Sequence, residues 1–209
     1  MTYTKDSPIS GASDVTWQQL YSAFEPMTPP AQLANMKKAC QAIIGAATET
    51  GLNPLVIAAI GWIETGAPGT GLPFRSEWWE KGFNFGNLGI TGDKSQNAAA
   101  QTWQTPGDGV RGTVAHLVAY RYGKNWRAAW DDDALGNPKV IDNRFNLAID
   151  NTPNGNGVLT LADLNRRWAI DRDDDYGGKL AERANKLIAA MDAPVETPST
   201  GEEPVAAIF

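Results

Sequence analysis

Apolar positions recur at helical spacing over most of the chain, and explicit breakers mark where they stop. Trp17, Leu20, Tyr21 and Phe24 fall on one face behind Thr16, a residue suited to capping a first turn, and Pro26, Pro29 and Pro30 then end that helix. Over 31–50 a second stripe runs through Leu33, Met36, Cys40, Ile43, Ile44 and Ala47 and closes at Gly51. The third segment, 53–66, is apolar all round. Asn53 supplies its cap, Pro54 fits the first helical position and Gly66 suits a left-handed exit, so the pattern predicts a buried helix that carries one carboxylate, Glu64, at its C-terminal end. Val110, Val114, Leu117 and Val118 mark a fourth helix over 108–122, and Trp126 and Trp130 sit four apart in an expected short one. A last helix over 176–191 buries Leu180, Leu187, Ile188 and Met191, with Asp173, Asp174 and Asp175 at its positive end.

One stretch departs from this period. Residues 82–92 are aromatic and rich in Gly and Asn, which predicts a β-hairpin or an extended loop with turns. The expected fold is therefore mainly α (α+β), a helical bundle with a small β-hairpin lobe. We divide it into an N-terminal helical arm over 1–30, a main domain over 31–192 and a flexible tail over 193–209. The tail is rich in Pro, Glu and Thr, and its last five residues form either a frayed terminus or a docking segment. There is no internal repeat.

A chain of 209 residues, 42% of them hydrophobic, can bury one good core. A net charge of −6 argues against a nucleic-acid partner, which favours a basic face, and gives no steering toward an anionic cell wall. The single Cys40 excludes an internal disulfide and reads as a small buried hydrophobe. The single His116 argues against a His-based metal cluster or a Ser/His/Asp site, and reads as a solvated or satisfied helix histidine. Residues 1–7 lack the basic and apolar regions of a signal peptide, and no segment approaches the roughly 20 apolar residues of a membrane span, so no membrane insertion is expected.

Glu64 carries the chemistry. A helix C-terminus bears partial negative charge and apolar walls remove water, so both effects disfavour the carboxylate and raise its pKa, as a general acid near neutral pH requires. The alternative is a surface glutamate that happens to end a core helix. Four motifs stand in order along the chain: Glu64-Thr65-Gly66, Asn87-Leu88-Gly89-Ile90, an aromatic strand-like segment 102–110 leading into a helix, and Trp168-Ala169-Ile170-Asp171 with Tyr176 after it. In these the chain resembles the lysozyme-like glucosaminidase family of peptidoglycan hydrolases, over roughly residues 31–191. The resemblance implies a lysozyme-like fold with the β-lobe beside the active-site cleft. It also implies cleavage of β-1,4 links between amino sugars, with Glu64 as proton donor.

The resemblance places a second acid in the lobe after Asn87. Asp93 is the only acid between Gly89 and Asp108, with Glu77 and Glu80 as alternatives, Asp108 as a helix cap, and the substrate's own acetamido group as a third route. Sugar stacking and amide contacts point to Trp78, Trp79, Asn84, Phe85, Asn87 and Trp103, each of which equally suits packing of the lobe. At the late motif the family carries Tyr where this chain has Trp168, whose indole only donates, and Tyr176 is either the displaced cleft tyrosine or the family's second aromatic.

No cofactor is expected to be required. The stretch 152–163 has the outline of a calcium loop with Thr152, Asn154, Asn156 and Asp163 at ligand positions, although it carries little charge and Thr160 with Asp163 also reads as a capping box. The implied partner is bacterial peptidoglycan, with phage tail proteins a further candidate. A wall hydrolase without a leader fits a phage endolysin or tail-associated lysin, made in the host cytoplasm and acting on the wall after lysis or from a virion. Muramidase or lytic transglycosylase action on the same strands, and a non-catalytic virion or wall-binding module, are the alternatives.

Overall fold

The computed structural model describes residues 2–67, 69–90, 100–152, 157–165, 167–168 and 174–193. It is mainly helical, as the periodicity predicts. In chain order the helices are α1 (Trp17–Phe24), α2 (Leu33–Thr50), α3 (Pro54–Glu64), α4 (Glu77–Gly82), α5 (Pro106–Tyr122), α6 (Asp132–Leu135), α7 (Pro138–Ile141), α8 (Phe145–Asp150) and α9 (Tyr176–Asp192). Thr16 caps α1 in a reciprocal box with Gln19, and Asn53 caps α3 by accepting from the Leu55 amide at 2.9 Å. Gly51 ends α2 with φ 68°, a left-handed conformation that glycine adopts without a Cβ penalty.

The all-round apolar run becomes the central element. Pro54 through Trp62 are all buried, with α3 against α9 and α2, while α2 packs on α5 and α1. Because each large apolar side chain buried this way contributes about 1.5–3 kcal/mol, α3 is fixed by its surroundings far more than by its own helix propensity. Cys40 is fully buried, and burial pushes its thiol up to about 12, consistent with a packing role.

The N-terminal residues are built into this core. Tyr3, Ile9, Leu20 and Phe24 are buried, and the segment before α1 is stitched on both sides. The Leu161 and Ala162 amides donate to the Ser7 and Lys5 carbonyls, the Ile9 amide donates to Leu159, and the Asn53 amide donates to Ile9. Two isolated antiparallel bridges pair Pro8 with Thr160 and Ser10 with Leu52.

The expected β-hairpin lobe is not seen in the described part of 82–92; residues 91 and 92 lie outside the described residues. Residues 83–90 form successive turns instead. Phe83 and Asn87 both have φ 49° and Gly89 has φ 79°. Asn84 explains why no ladder forms. Its side chain accepts from the Leu88 amide at 2.8 Å and donates to the Leu88 carbonyl at 3.0 Å, occupying the backbone groups that strand pairing needs.

Candidate active site

The turn over 83–90 is locked onto α3 by a notch. A Cβ built at Gly61 would lie 1.9 Å from Phe85 Cζ, so only glycine admits the fully buried Phe85 ring one helical turn before Glu64. That contact brings Asn87 to the end of α3. There Asn87, Trp168 and Tyr176 converge on Glu64, each from a different part of the chain. Oε1 accepts from the Tyr176 hydroxyl at 2.6 Å and from Trp168 Nε1 at 3.2 Å, and Oε2 accepts from Asn87 Nδ2 at 3.0 Å.

Burial pushes the Glu64 carboxyl above its ordinary range, and the hydrogen bonds from Tyr176, Asn87 and Trp168 pull the other way without cancelling it. The side chain remains partly exposed, so a proton can leave it. Indole nitrogen can only donate, so Oε1 accepts from Trp168 in both protonation states, and Oε2, with a single partner, is the freer oxygen for the acidic proton. On that side sits Asn87, whose Oδ1 is buried without a hydrogen-bond partner. Rotating the Asn87 amide by half a turn replaces Nδ2 with Oδ1 opposite Oε2, the acceptor that a neutral Glu64 needs. One amide thus serves both charge states, donating to the carboxylate and accepting from the acid.

The other aromatic candidates divide by burial. Trp79, Asn84 and Phe85 are fully enclosed, against the expectation of a sugar-contacting surface. Trp79 donates to Gln32 Oε1 at 3.1 Å and lies among Phe74, Phe83 and Phe85, with ring centroids 5.1–6.1 Å away. These residues build the wall behind Asn87. Trp78 on α4 is partly exposed. Trp103 is partly buried, donates to the Ile141 carbonyl at 3.0 Å, and borders a cavity of about 500 Å³ shared with Gln104, Asn143 and Val140.

Among the carboxylates, Asp93 lies outside the described residues. Glu77 and Glu80 are exposed on α4, and Glu77 pairs with Lys81 at 3.2 Å. Asp108 belongs to the start of α5, where Thr105 is the cap and Asp108 accepts its hydroxyl at 2.6 Å and pairs with Arg111. In the calcium-loop stretch, Asn154 and Asn156 lie outside the described residues. Asp163 Oδ2 is occupied by the Leu159 and Thr160 amides and the Thr160 hydroxyl at 2.9–3.0 Å, the capping arrangement. Partial burial alone would raise the Asp163 carboxyl, but these donors and Arg167 outweigh it and hold it below its ordinary value. Thr152 donates to the Ala148 carbonyl at 2.8 Å. Among the described residues no group of three His, Cys, Asp or Glu side chains is arranged to hold a metal ion, and no helix is long and apolar enough to cross a membrane.

Sequence reading left Gln101 and Asp142 unassigned. His116 is a satisfied helix histidine, buried on α5 with Nδ1 2.7 Å from Asp142 Oδ2. Its spacing with Thr113 and Tyr120 on the inner face of α5 was the only available signal. No family model, curated protein or solved structure matches this chain.

Proposed function

We propose that this protein is a peptidoglycan hydrolase cleaving the β-1,4 glycosidic bonds of glycan strands, an endo-β-N-acetylglucosaminidase with Glu64 as general acid. One observation carries the reading: a carboxyl raised by burial at the end of an enclosed helix and held by three neutral donors. Leaving-group protonation in glycoside hydrolysis asks for such an acid. Glu64 Oε2 passes its proton to the glycosidic oxygen, the bond to the anomeric carbon breaks, and the positive charge that develops there is met by a second group. That group is Asp93 or the substrate's own acetamido oxygen, and water completes the hydrolysis. Tyr176, Trp168 and Asn87 stabilise the carboxylate left behind, so the site supports both ends of the proton transfer. The biological setting we propose is a phage endolysin or tail-associated lysin.

Among the described residues every hydrogen-bond partner of Glu64 is a neutral donor, which favours substrate-assisted chemistry and makes lytic transglycosylase or muramidase action the second reading. Digestion of purified peptidoglycan by the wild type and by Glu64→Gln, with reduced fragments read by mass spectrometry, separates the readings. Reducible N-acetylglucosamine ends that vanish in the variant are the expected result. Reducible N-acetylmuramic acid or anhydro ends assign a sister activity. An absence of fragments from both proteins on several wall types would mean a binding or structural role.

A further inference from the structure

Behind Trp168 lies a buried polar cluster that the proposed proton transfer does not use. Asp142, fully buried at the C-terminal end of α7, accepts from Gln101 Nε2 at 2.8 Å and from the Arg144 amide at 2.9 Å through Oδ1, and meets His116 Nδ1 at 2.7 Å through Oδ2. This contact, with Oδ1 already held by two donors, fixes the plane of the imidazole. That ring stands edge-to-face with the Trp168 indole, centroids 5.4 Å apart and planes at 84°, and with Tyr120 at 4.8 Å and 85°. The Tyr120 hydroxyl in turn donates to the Arg167 carbonyl at 2.9 Å, holding the backbone one residue before Trp168. On the opposite side a Cβ at Gly86 would come within 3.0 Å of both Trp168 Cζ2 and Thr113. The indole is thus clamped between α5 and the turn over 83–90, with its Nε1 aimed at Glu64.

We propose that the buried His116–Asp142 pair is a positioning device for the acid: by fixing the imidazole edge against Trp168 it holds the indole N–H on Glu64 Oε1, and so sets how readily Glu64 gives up its proton. A buried, fully hydrogen-bonded carboxylate is expensive to assemble and is not the most stable way to fill a core, which agrees with a role beyond packing. The charged and titratable groups around His116 are Asp142 from α7, Tyr120 on its own helix, and Arg144 and Arg167 beside Tyr120, with Glu64 on the far side of the indole.

The experiment is titration of the Glu64 side-chain carboxyl by carbon NMR in labelled protein, which needs no turnover and therefore stands or falls separately from the hydrolase reading. Donors to the carboxylate favour the charged form, so losing the Trp168 bond raises the midpoint, by roughly one pH unit. Trp168→Phe is expected to produce that rise directly. His116→Gln keeps a donor for Asp142 and removes the ring, and is expected to raise the midpoint in the same direction. Combining the two should add nothing to Trp168→Phe alone. Tyr120→Phe, a milder change that frees only the Arg167 carbonyl, is the second probe should His116→Gln fail to fold, and is expected to raise the midpoint by a smaller amount. A Glu64 midpoint unmoved in the folded His116→Gln or Tyr120→Phe protein, or independent shifts that add in the double variant, would overturn the proposal even where melting temperature falls.

Discussion

A proton held by burial makes Glu64 a source of instability as well as chemistry. Its folded pKa lies above the unfolded value of about 4.5, so the native state binds the proton more tightly, and stability falls as pH rises from that value through the folded pKa. Glu64→Gln removes the ionisation while keeping two donors on one atom, and its new amide can donate to the otherwise unpaired Asn87 Oδ1. The variant is expected to melt at a higher temperature than wild type at pH 7, with the difference vanishing below about pH 4.5 and wall lysis lost throughout. Equal melting at pH 7 would mean that Glu64 is not strained. A second test concerns Asn87, whose φ of 49° suits Asn or Gly. Asn87→Gly keeps that backbone and deletes the amide, so the alkaline limb of the lysis pH profile should move upward as the carboxylate loses a donor; a limb that stays put would remove Asn87 from the acid's control. The order of motifs already pointed to Asn87, Trp168 and Tyr176 as companions of Glu64. Sequence was silent on which aromatics face outward, because Trp79 and Phe85 in a Gly- and Asn-rich stretch look alike whether they bind sugar or fill a wall. Nor could it pair His116 with Asp142, 26 positions away, since only the packing of α7 on α5 brings them together.

Long helices were legible for a physical reason: α2, α3, α5 and α9 each contain several turns, so a buried face repeats often enough to be seen, and caps such as Asn53 and Gly51 fix their ends. Helices α6, α7 and α8 have four to six residues, too few for any periodicity, and betray themselves only through the capping residues Asp131 and Asn137. Over 83–90 turns replace the β-hairpin lobe, because the register there is decided by Asn84 capturing Leu88 and by the Gly61 notch, neither of which leaves a pattern in the sequence. That notch gives the prediction belonging to this scale. Gly61→Ala favours α3 by intrinsic propensity by about 1 kcal/mol, yet drives a methyl group into the Phe85 ring, and overpacking of this kind costs about 1–3 kcal/mol. Net destabilisation with a larger loss of lysis than of helix content is expected by thermal melting and activity assay, because the displaced turn carries Asn87 away from Glu64. Phe85→Leu in the same chain should recover part of both. A stabilised, fully active Gly61→Ala protein would show that the notch does not position the turn.

The route from the N-terminal residues to Glu64 spans the molecule. Lys5, Ser7 and Ile9 hold 159–162 by backbone hydrogen bonds, and just beyond that segment Asn165 accepts from the Gly177 amide at 2.7 Å and donates to the Asp174 carbonyl at 2.8 Å, fixing the first turn of α9. Gly177 permits that approach, since a Cβ there would fall 2.5 Å from the Leu161 carbonyl oxygen. Tyr176, the shortest hydrogen bond to Glu64, is the residue so placed. Residues 2–11 therefore act on the acid through two layers of backbone contact, without touching it. Ile9 anchors them, at 1% exposure, so Ile9→Ala should cost about 2–4 kcal/mol through the lost side chain and its cavity. If the coupling holds, the Leu161 and Ala162 amides, which donate to this segment, exchange hydrogen markedly faster in the variant, and lysis falls at temperatures where the protein is still folded. Uniformly faster exchange across α2, α3 and α5, with activity per folded molecule unchanged, would reduce the N-terminal segment to ordinary core stabilisation. Selective loosening of 157–165 together with lost activity would make it a structural brace for Tyr176, carried through Asn165 and the first turn of α9.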